Sequence, residues 1–412
     1  MTKTLIMIGA GLETVPAIIK AKALGLRVVA VDADPNAPGY AHADEAVAGC
    51  VYTPQISVDA LAAWARRGGR PDGVMCAAVD APHTVAAVAE YFGLRAASRE
   101  TAALATDKLA MKARLAARGI PVPWYQAVSG PQELAEIIAA RPGTLIVKPV
   151  DSRGARGVLR LVPGSPRTPS PREAYDAAAK ESPTGRVMVE AYLDGPQVST
   201  EGLCVEGTPY TPGFSDRNYE FLDRFAPSVI ENGGELPSVL APDVRQAVKD
   251  LTGRAALALG IDHGVYKGDM VVHQGKPYVI EIAARLSGGY FCTHEIPWNT
   301  GVRFVEQAIR LAVGEVPQAA DLTPVHDRGV AQRYLFAPTG TIARIEGVEQ
   351  ARAVAGVRLV ELRVRPGARI EGVTSHPARA GVVMAVADSR DEAVAAAEEA
   401  VSRVVFVSEP HP

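Results

Sequence analysis

Three short apolar runs near the N-terminus, TLIMI, RVVAVD and GVMCAAV, alternate with TVPAIIKAKALG and SVDALAAWARR, whose apolar residues recur at helical spacing. A strand that is apolar at every position must be covered on both faces. Parallel neighbours also need a long crossover between them, usually a helix. The alternation therefore predicts an open parallel sheet, with ligand contacts in the loops after its strands. Gly9 and Gly11 follow the first strand, Asp32 and Asp34 close the second, and Asp80 and His83 follow the third. A dinucleotide fingerprint requires a third glycine where Thr14 stands, which speaks against a nicotinamide cofactor. His83 reads as a helix-start residue.

At 412 residues the chain is too long for one core. With 48% hydrophobic and 22% charged residues and a net charge of −3, it has an ordinary globular composition. No basic excess points to nucleic acid, and no polybasic tail or run of about 18 uncharged apolar residues points to a membrane. MTKTLIMIGAG enters a strand directly, without the features of a signal peptide. Cys50, Cys76, Cys204 and Cys292 are scattered and form no CxxC pair. That usage fits a reducing compartment, so a cytoplasmic location is expected.

The middle of the chain carries groups suited to phosphates. In TDKLAMKARLAARGIPVP, Thr106 or Asp107 can cap a helix, with Lys108 at its start, where the helix dipole favours acids. TLIVKPVDSRGARGVLRLV reads as two strands joined by a glycine loop. Lys148 ends the first strand, and Ser152, Gly154 and Gly157 with Arg153 and Arg156 make a flexible cationic loop able to fold over phosphates. Its order is not that of a Walker A loop. Ser170, Pro171 and Glu173 form a capping box. Glu190 ends the apolar strand VMV, where the backbone of AYL can meet a planar base and Leu193 can pack on it. Residues 210–240 read as irregular and polar, with Arg217, Arg224 and Glu231 available to line a site.

Residues 267–290, KGDMVVHQGKPYVIEIAARLSGGY, read as a β-hairpin. Asp269 and Glu281 lie on its two strands, where a turn can bring them face to face. Carboxylates inside apolar strands are costly unless paired or metal-bound. Two opposed carboxylates suit Mg²⁺, which takes few protein oxygens besides those of a phosphate. Arg285, Gly288 and Gly289 would lie just beyond. His263 and His294 read as structural. From about Asp327 the chain breaks into short strands and a helix capped by Ser389 and Glu392, a structural α+β closing unit with a role in dimerisation.

Taken in order, Lys108, Lys148, the SRGARGV loop, VEAYLDG and the Asp269…Glu281…Arg285 hairpin resemble the ATP-grasp superfamily across roughly residues 1–405. The likeness is greatest to the branch of biotin carboxylase, the phosphoribosylaminoimidazole carboxylase ATPase subunit and bacterial L-amino-acid ligase, and EIAARLSGG looks most like the last. The resemblance implies an α/β and α+β chain in three parts: an N-terminal open parallel sheet domain over 1–101, a central ATP-grasp fold over 102–325 with a mobile lid at about 121–190, and a small C-terminal α+β domain over 326–412. It implies that Lys108 and Lys148 contact ATP phosphates, Lys148 also lying near the adenine. Ser152, Arg153, Gly154, Arg156, Gly157 and Val158 would cover the phosphates. Glu190 would accept from the adenine amino group, while Ala191, Tyr192 and Leu193 read the ring edge. Gln197 stands where a ribose-binding acid is common. Asp269 and Glu281 would bind Mg²⁺, with Ala283 where many members carry an Asn. Arg285 would hold the acyl phosphate, with Glu231, Lys267, Ser287, Gly288 and Gly289 around the substrates.

The activity so implied is ATP- and Mg²⁺-dependent ligation of a small carboxylic acid to an amine through an acyl phosphate, by a homodimer. The rival within the family activates bicarbonate. The rivals outside it are a nicotinamide-dependent oxidoreductase and a nucleotide-binding regulator.

Overall fold

The computed structural model describes residues 2–409. The first unit is a parallel sheet ordered Glu45–Ala48, Arg27–Asp32, Thr4–Ile8, Gly73–Cys76. Thr4–Ile8 is buried along its whole length, and its side chains divide between two cores. Leu5 and Met7, with Val28 and Ala30, meet Phe304, Val305 and Ile309 of a distant helix. Ile6 and Ile8, with Val29 and Val31, meet Leu61 and Trp64. Both faces are covered, as all-apolar strands require.

A second sheet is antiparallel, ordered Tyr125–Val128, Val187–Ala191, Leu145–Pro149, Leu159–Leu161. Helices Pro131–Ala140 and Pro171–Glu181 pack on it through Leu134, Ile137, Ala174 and Ala178. The Ser170–Glu173 capping box forms as the sequence predicts.

The largest sheet has eight antiparallel strands: Lys276–Ala283, Gly264–His273, Gln197–Val205, Thr208–Asn218, Gly233–Leu236, Gly329–Leu335, Gly381–Ala387, Val357–Leu362. It runs without a break from the acid-bearing hairpin into the C-terminal unit, through Glu235↔Ala331 and Leu236↔Val330. Helix Pro242–Ala258 lies on its back, where Val248, Leu251 and Ala255 pack on Met270, Val272, Val279 and Ile282. A small sheet, Arg369–Ile370, Gly340–Glu346, Val405–Glu409, completes the chain. No described helix is long and apolar enough to cross a membrane.

One expectation fails here. Residues 210–240 are not irregular throughout: Thr208–Asn218 is an eleven-residue strand and Gly233–Leu236 a short one. Their polar side chains, Ser215 and Arg217 among them, face a cleft rather than solvent. Polarity there marks a site, not a loop.

Candidate active site

One cleft of about 1040 Å³ lies where the three units meet. It is lined by loops after the parallel strands, by the front of the large sheet, by the second sheet and by the C-terminal unit.

The hairpin turns at Gln274 (φ 50°) and Gly275 (φ 75°), two positive angles that suit a tight two-residue turn. Asp269 and Glu281 are direct partners in register. The partnering shifts between Asp269 and Met270, which pairs with Val279 and leaves Ile280 as an extra residue. In a regular strand Glu281 would share the face of Val279, against the helix. The bulge at Ile280 changes the parity and turns Glu281 into the cleft beside Asp269, a common use of bulges next to sites.

Arg217 Nη1 stands 3.0 Å from Asp269, and Lys267 also contacts it. Burial alone would raise the Asp269 carboxyl, but Arg217 and Lys267 outweigh it and hold it well below the usual range. Glu281 is 3.6 Å from Lys108 Nζ. Among the described residues no group of three or more His, Cys, Asp or Glu gathers to cage a metal. Two facing carboxylates at the mouth of a polar cleft fit Mg²⁺ that completes its shell with phosphate and water, and do not fit a closed structural site.

Asp107 caps helix Lys108–Ala117 by accepting from the Ala110 N–H at 2.9 Å. Lys108 donates to Ser152 O at 2.7 Å, so it also holds the glycine loop. Lys148 contacts Glu190, whose other oxygen is 2.9 Å from Lys112. Lys112 is wholly buried and also donates to the bulge carbonyl of Ile280 at 3.1 Å. Burial would raise Glu190, but the two ammonium groups bring it down to about 2, while burial lowers Lys112 to about 8 against the pull of Glu190. Glu190 lines the cleft with a lysine at each oxygen, so an adenine amino group donating to it would share the carboxylate with Lys112 and Lys148. Lys112 escaped the sequence reading. Its spacing of four from Lys108 puts the two on one helix face and was the available signal.

The N–H groups of Ala191 and Tyr192 donate to Trp124 O (2.8 Å) and Thr144 O (3.0 Å), leaving Leu193 and the carbonyls for any ring edge. Leu193 and Gln197 line the cleft. In the glycine loop, Ser152, Arg153, Gly154, Arg156 and Val158 line the cleft, but Gly157 does not. A Cβ on Gly157 would lie 3.1 Å from Ala177 O, so this glycine admits close packing on the helix Pro171–Glu181. Arg153 stacks on Tyr52 at 3.7 Å, and Arg156 donates to Arg153 O at 3.2 Å. Gly154 O accepts the His376 N–H at 3.0 Å. The loop thus touches both the first and the last unit.

Beyond the acid pair, Arg285 lies 3.4 Å from Asp80, and its buried Nε has no hydrogen-bond partner. Three substrate assignments change in character. Ser287 gives its N–H (2.7 Å) and its hydroxyl to Glu201. Gly289 gives its N–H to Glu13 at 2.7 Å, and Gly288 lies against the same carboxylate. The Gly289 N–H is thus committed to Glu13, and Arg285 is the cation just beyond the acid pair. Glu231 is held by Arg217 (2.9 and 3.2 Å) and Arg379 (3.4 Å). Arg224 lies outside the cleft, against Phe221 and Phe225.

The C-terminal unit is not merely structural. Gln332, Tyr334, Arg363, His376 and Arg379 line the cleft, Arg379 stacking on Tyr334 at 3.7 Å and Arg363 pairing with Glu13. These residues are widely spaced in the chain, so no local motif announced them. At the parallel-sheet end, Thr14 is buried and donates to Ala77 O at 2.9 Å.

Residues 105–289 match the ATP-grasp domain family, and residues 333–409 match the L-amino acid ligase C-terminal domain 2. Residues 105–289 thus form an ATP-grasp domain, and ATP-grasp carboxylate–amine ligases are ATP-dependent carbon–nitrogen ligases. The C-terminal unit carries a domain that is described for L-amino acid ligases. An uncharacterized protein of Sinorhizobium fredii is 29% identical over 403 residues, covering 94% of this chain and 79% of that one. A D-alanine–D-alanine ligase of Gloeobacter violaceus is 30% identical over 190 residues, covering 44% of this chain and 59% of that enzyme. The crystal structure of an L-amino acid ligase from Bacillus licheniformis superposes with a TM-score of 0.81 at 22% identity, covering 99% of both chains. That last likeness concerns the fold.

Proposed function

We propose that this chain joins two small molecules by activating a carboxylic acid, most plainly an amino acid, as an acyl phosphate and passing the acyl group to an amine. The observation that carries this is the opposition of Asp269 and Glu281 across the hairpin, with Lys108 and Lys148 on one side and Arg285 on the other. A bare carboxylate resists an amine because its leaving group would be oxide. Phosphoryl transfer supplies a good leaving group, and it is catalysed chiefly by position and charge. ATP-grasp enzymes use ATP with Mg²⁺. Asp269 and Glu281 would hold Mg²⁺, which when bound would supply neutralisation of the phosphate oxygens.

The chain's own residues do the rest. Lys108 and Lys148 face the phosphates, and the Ser152–Val158 loop covers them and excludes water. Leu193, with the carbonyls of the 190–193 strand end, takes the base, and Gln197 lies within reach of the sugar. Arg285 holds the developing oxyanion and then the departing phosphate. The proposal includes a homodimer and a cytoplasmic location, where ATP and free thiols such as Cys76 are at home.

The test is ADP release by the purified protein across a panel of acids and amines, with and without bicarbonate. ADP that requires both an acid and an amine, with an amide product by mass, supports ligation. ADP that requires bicarbonate instead moves the chain to the carboxylating branch. ADP release indifferent to any acid sinks the reading.

A further inference from the structure

Glu13 has no duty in the reaction outlined above, yet its carboxylate joins three parts of the molecule. It sits in the loop after the first parallel strand, half-buried in the cleft wall. One oxygen, Oε2, accepts the Gly289 N–H at 2.7 Å. The other, Oε1, is paired with Arg363 of the last unit. With both oxygens in use, Glu13 is placed to hold other groups rather than to meet a reactant.

What it holds is the turn that follows Arg285. Gly289 and Tyr290 have φ of 66° and 65°, and the second value is uncommon for a bulky side chain. Such a conformation persists where its surroundings fix it. Here the Gly289 N–H meets Glu13, the Gly289 carbonyl accepts from the Gln332 amide, and the Tyr290 hydroxyl donates to Glu361. The fit leaves no room for side chains. A Cβ on Gly288 would lie 2.7 Å from Glu13 Oε2, and one on Gly289 would lie 2.7 Å from the Tyr334 hydroxyl. The turn is thus gripped between the first unit and the last. Arg363 links the two grips, because it pairs with both Glu13 and Glu361.

Arg285 begins the same segment, four residues before Gly289. The Ala78 N–H ties this segment to the first unit by donating to Leu286 O at 3.2 Å. Thr14, next to Glu13, in turn holds Ala77 O. The Arg285 guanidinium faces Asp80 at 3.4 Å, long for a hydrogen bond. A guanidinium so loosely partnered takes its direction from the backbone that carries it.

We propose that Glu13 is a positioning residue for Arg285: it fixes the 286–290 turn so that the guanidinium points at the departing phosphate, with Arg363 of the last unit as its anchor. This rests on the ligase reading and deepens it. Catalysis then depends on the seam between the first unit and the last, and not on the ATP-grasp domain alone.

The experiment uses the full chain with Mg·ATP, L-amino acids as the acid and hydroxylamine as the amine, and reads hydroxamate and ADP. Glu13→Gln keeps the shape of the side chain but gives up the ion pair and weakens the acceptor. Its kcat for hydroxamate should fall about ten-fold, the scale of a modest misplacement of a catalytic group, with the KM for ATP unchanged. In an Arg285→Lys background the same substitution should cost less than about two-fold, because the group it positions is already altered. Arg363→Gln should reproduce the loss, and adding Glu13→Gln to it should cost little more. Amide hydrogen exchange of a peptide containing residues 286–290 should quicken about ten-fold in Glu13→Gln, since the turn opens more readily. Ser287 stays bound to Glu201, so the fold should survive, and thermal unfolding checks that it does. Additive losses for Glu13 and Arg285, a loss confined to the KM of the acid, or an unchanged kcat overturns the assignment while ligation stands. If the native protein forms no hydroxamate and no ADP with any acid, the ligase reading falls first and this one with it.

Discussion

Val279 and Ile282 both pack against the helix Pro242–Ala258, although they stand three residues apart on one strand. Ile280 absorbs the mismatch, and its carbonyl is held by Lys112. The aim of Glu281 therefore depends on a lysine from another element, which also grips Glu190 opposite Lys148. Lys112→Met removes that hold while keeping the stem's volume. The Mg²⁺ concentration needed for half-maximal ADP release should rise about ten-fold, the usual scale for loss of a group that orients a metal ligand. An unchanged Mg²⁺ titration would refute the link. Glu281→Gln should abolish turnover while the thermal midpoint stays within a few degrees, and retained activity would remove the metal assignment. The acids Asp269 and Glu281 were legible in the sequence because charge inside an apolar strand is conspicuous. Their support was not, because a bulge leaves no mark in composition, and Lys112 looks like any helical lysine.

Among the elements, the glycine loop shows how far local pattern reaches. Its sequence announced a cationic turn after Lys148, and that turn exists. Its partners, Tyr52 from the first unit and His376 from the last, come from positions that no spacing rule connects. An exposed cation–π contact contributes roughly 0.5–1 kcal/mol. Arg153→Ala or Tyr52→Ala should accordingly raise the KM for ATP about two- to five-fold and increase ADP formed per amide bond, because a loosely seated loop admits water. A coupling ratio equal to that of the native protein in both variants would show that the stacking is incidental. The strand Thr208–Asn218 makes the complementary point. It reads as loop because its cleft-facing side is polar, and only the opposite side, with Phe214 against the helix Pro242–Ala258, behaves as a strand should.

For the molecule as a whole, the buried carboxyl groups fall into two opposed sets. Glu190 and Glu231 are held down to about 2: burial would raise them, but Lys112 and Lys148 for the first, and Arg217 and Arg379 for the second, prevail. Burial raises Glu201 to about 7 and Glu295 to about 8. Depressed groups contribute stability that is present above the ordinary value of 4.5 and lost as pH falls toward 2. Raised groups contribute stability present below 4.5 and lost as pH rises toward 7 or 8. The thermal midpoint of the ligand-free protein, measured across the pH range, should peak near about 5 and decline on both sides. Glu201→Gln should flatten the alkaline decline. A midpoint still climbing between neutral and mildly alkaline pH would contradict this account. The parallel sheet was readable from the alternation of strands and helices, and the ATP-grasp likeness from the ordered motifs, whereas the gathering of distant segments at one cleft depends on long-range strand pairing.

That pairing bears on how such chains can be recombined. The sheet passes from Gly233–Leu236 into Gly329–Leu335 as a single hydrogen-bonded fabric, so a cut at the linker near residue 326 severs covalent continuity but not the weave. Grafting the last unit from a relative would succeed only where the donor strand reproduces the Glu235↔Ala331 register and returns the counterparts of Tyr334 and Arg379 to the same depth. The exchangeable module is therefore bounded by strand register, and new substrate preferences brought in with a foreign terminus would arrive together with its seam.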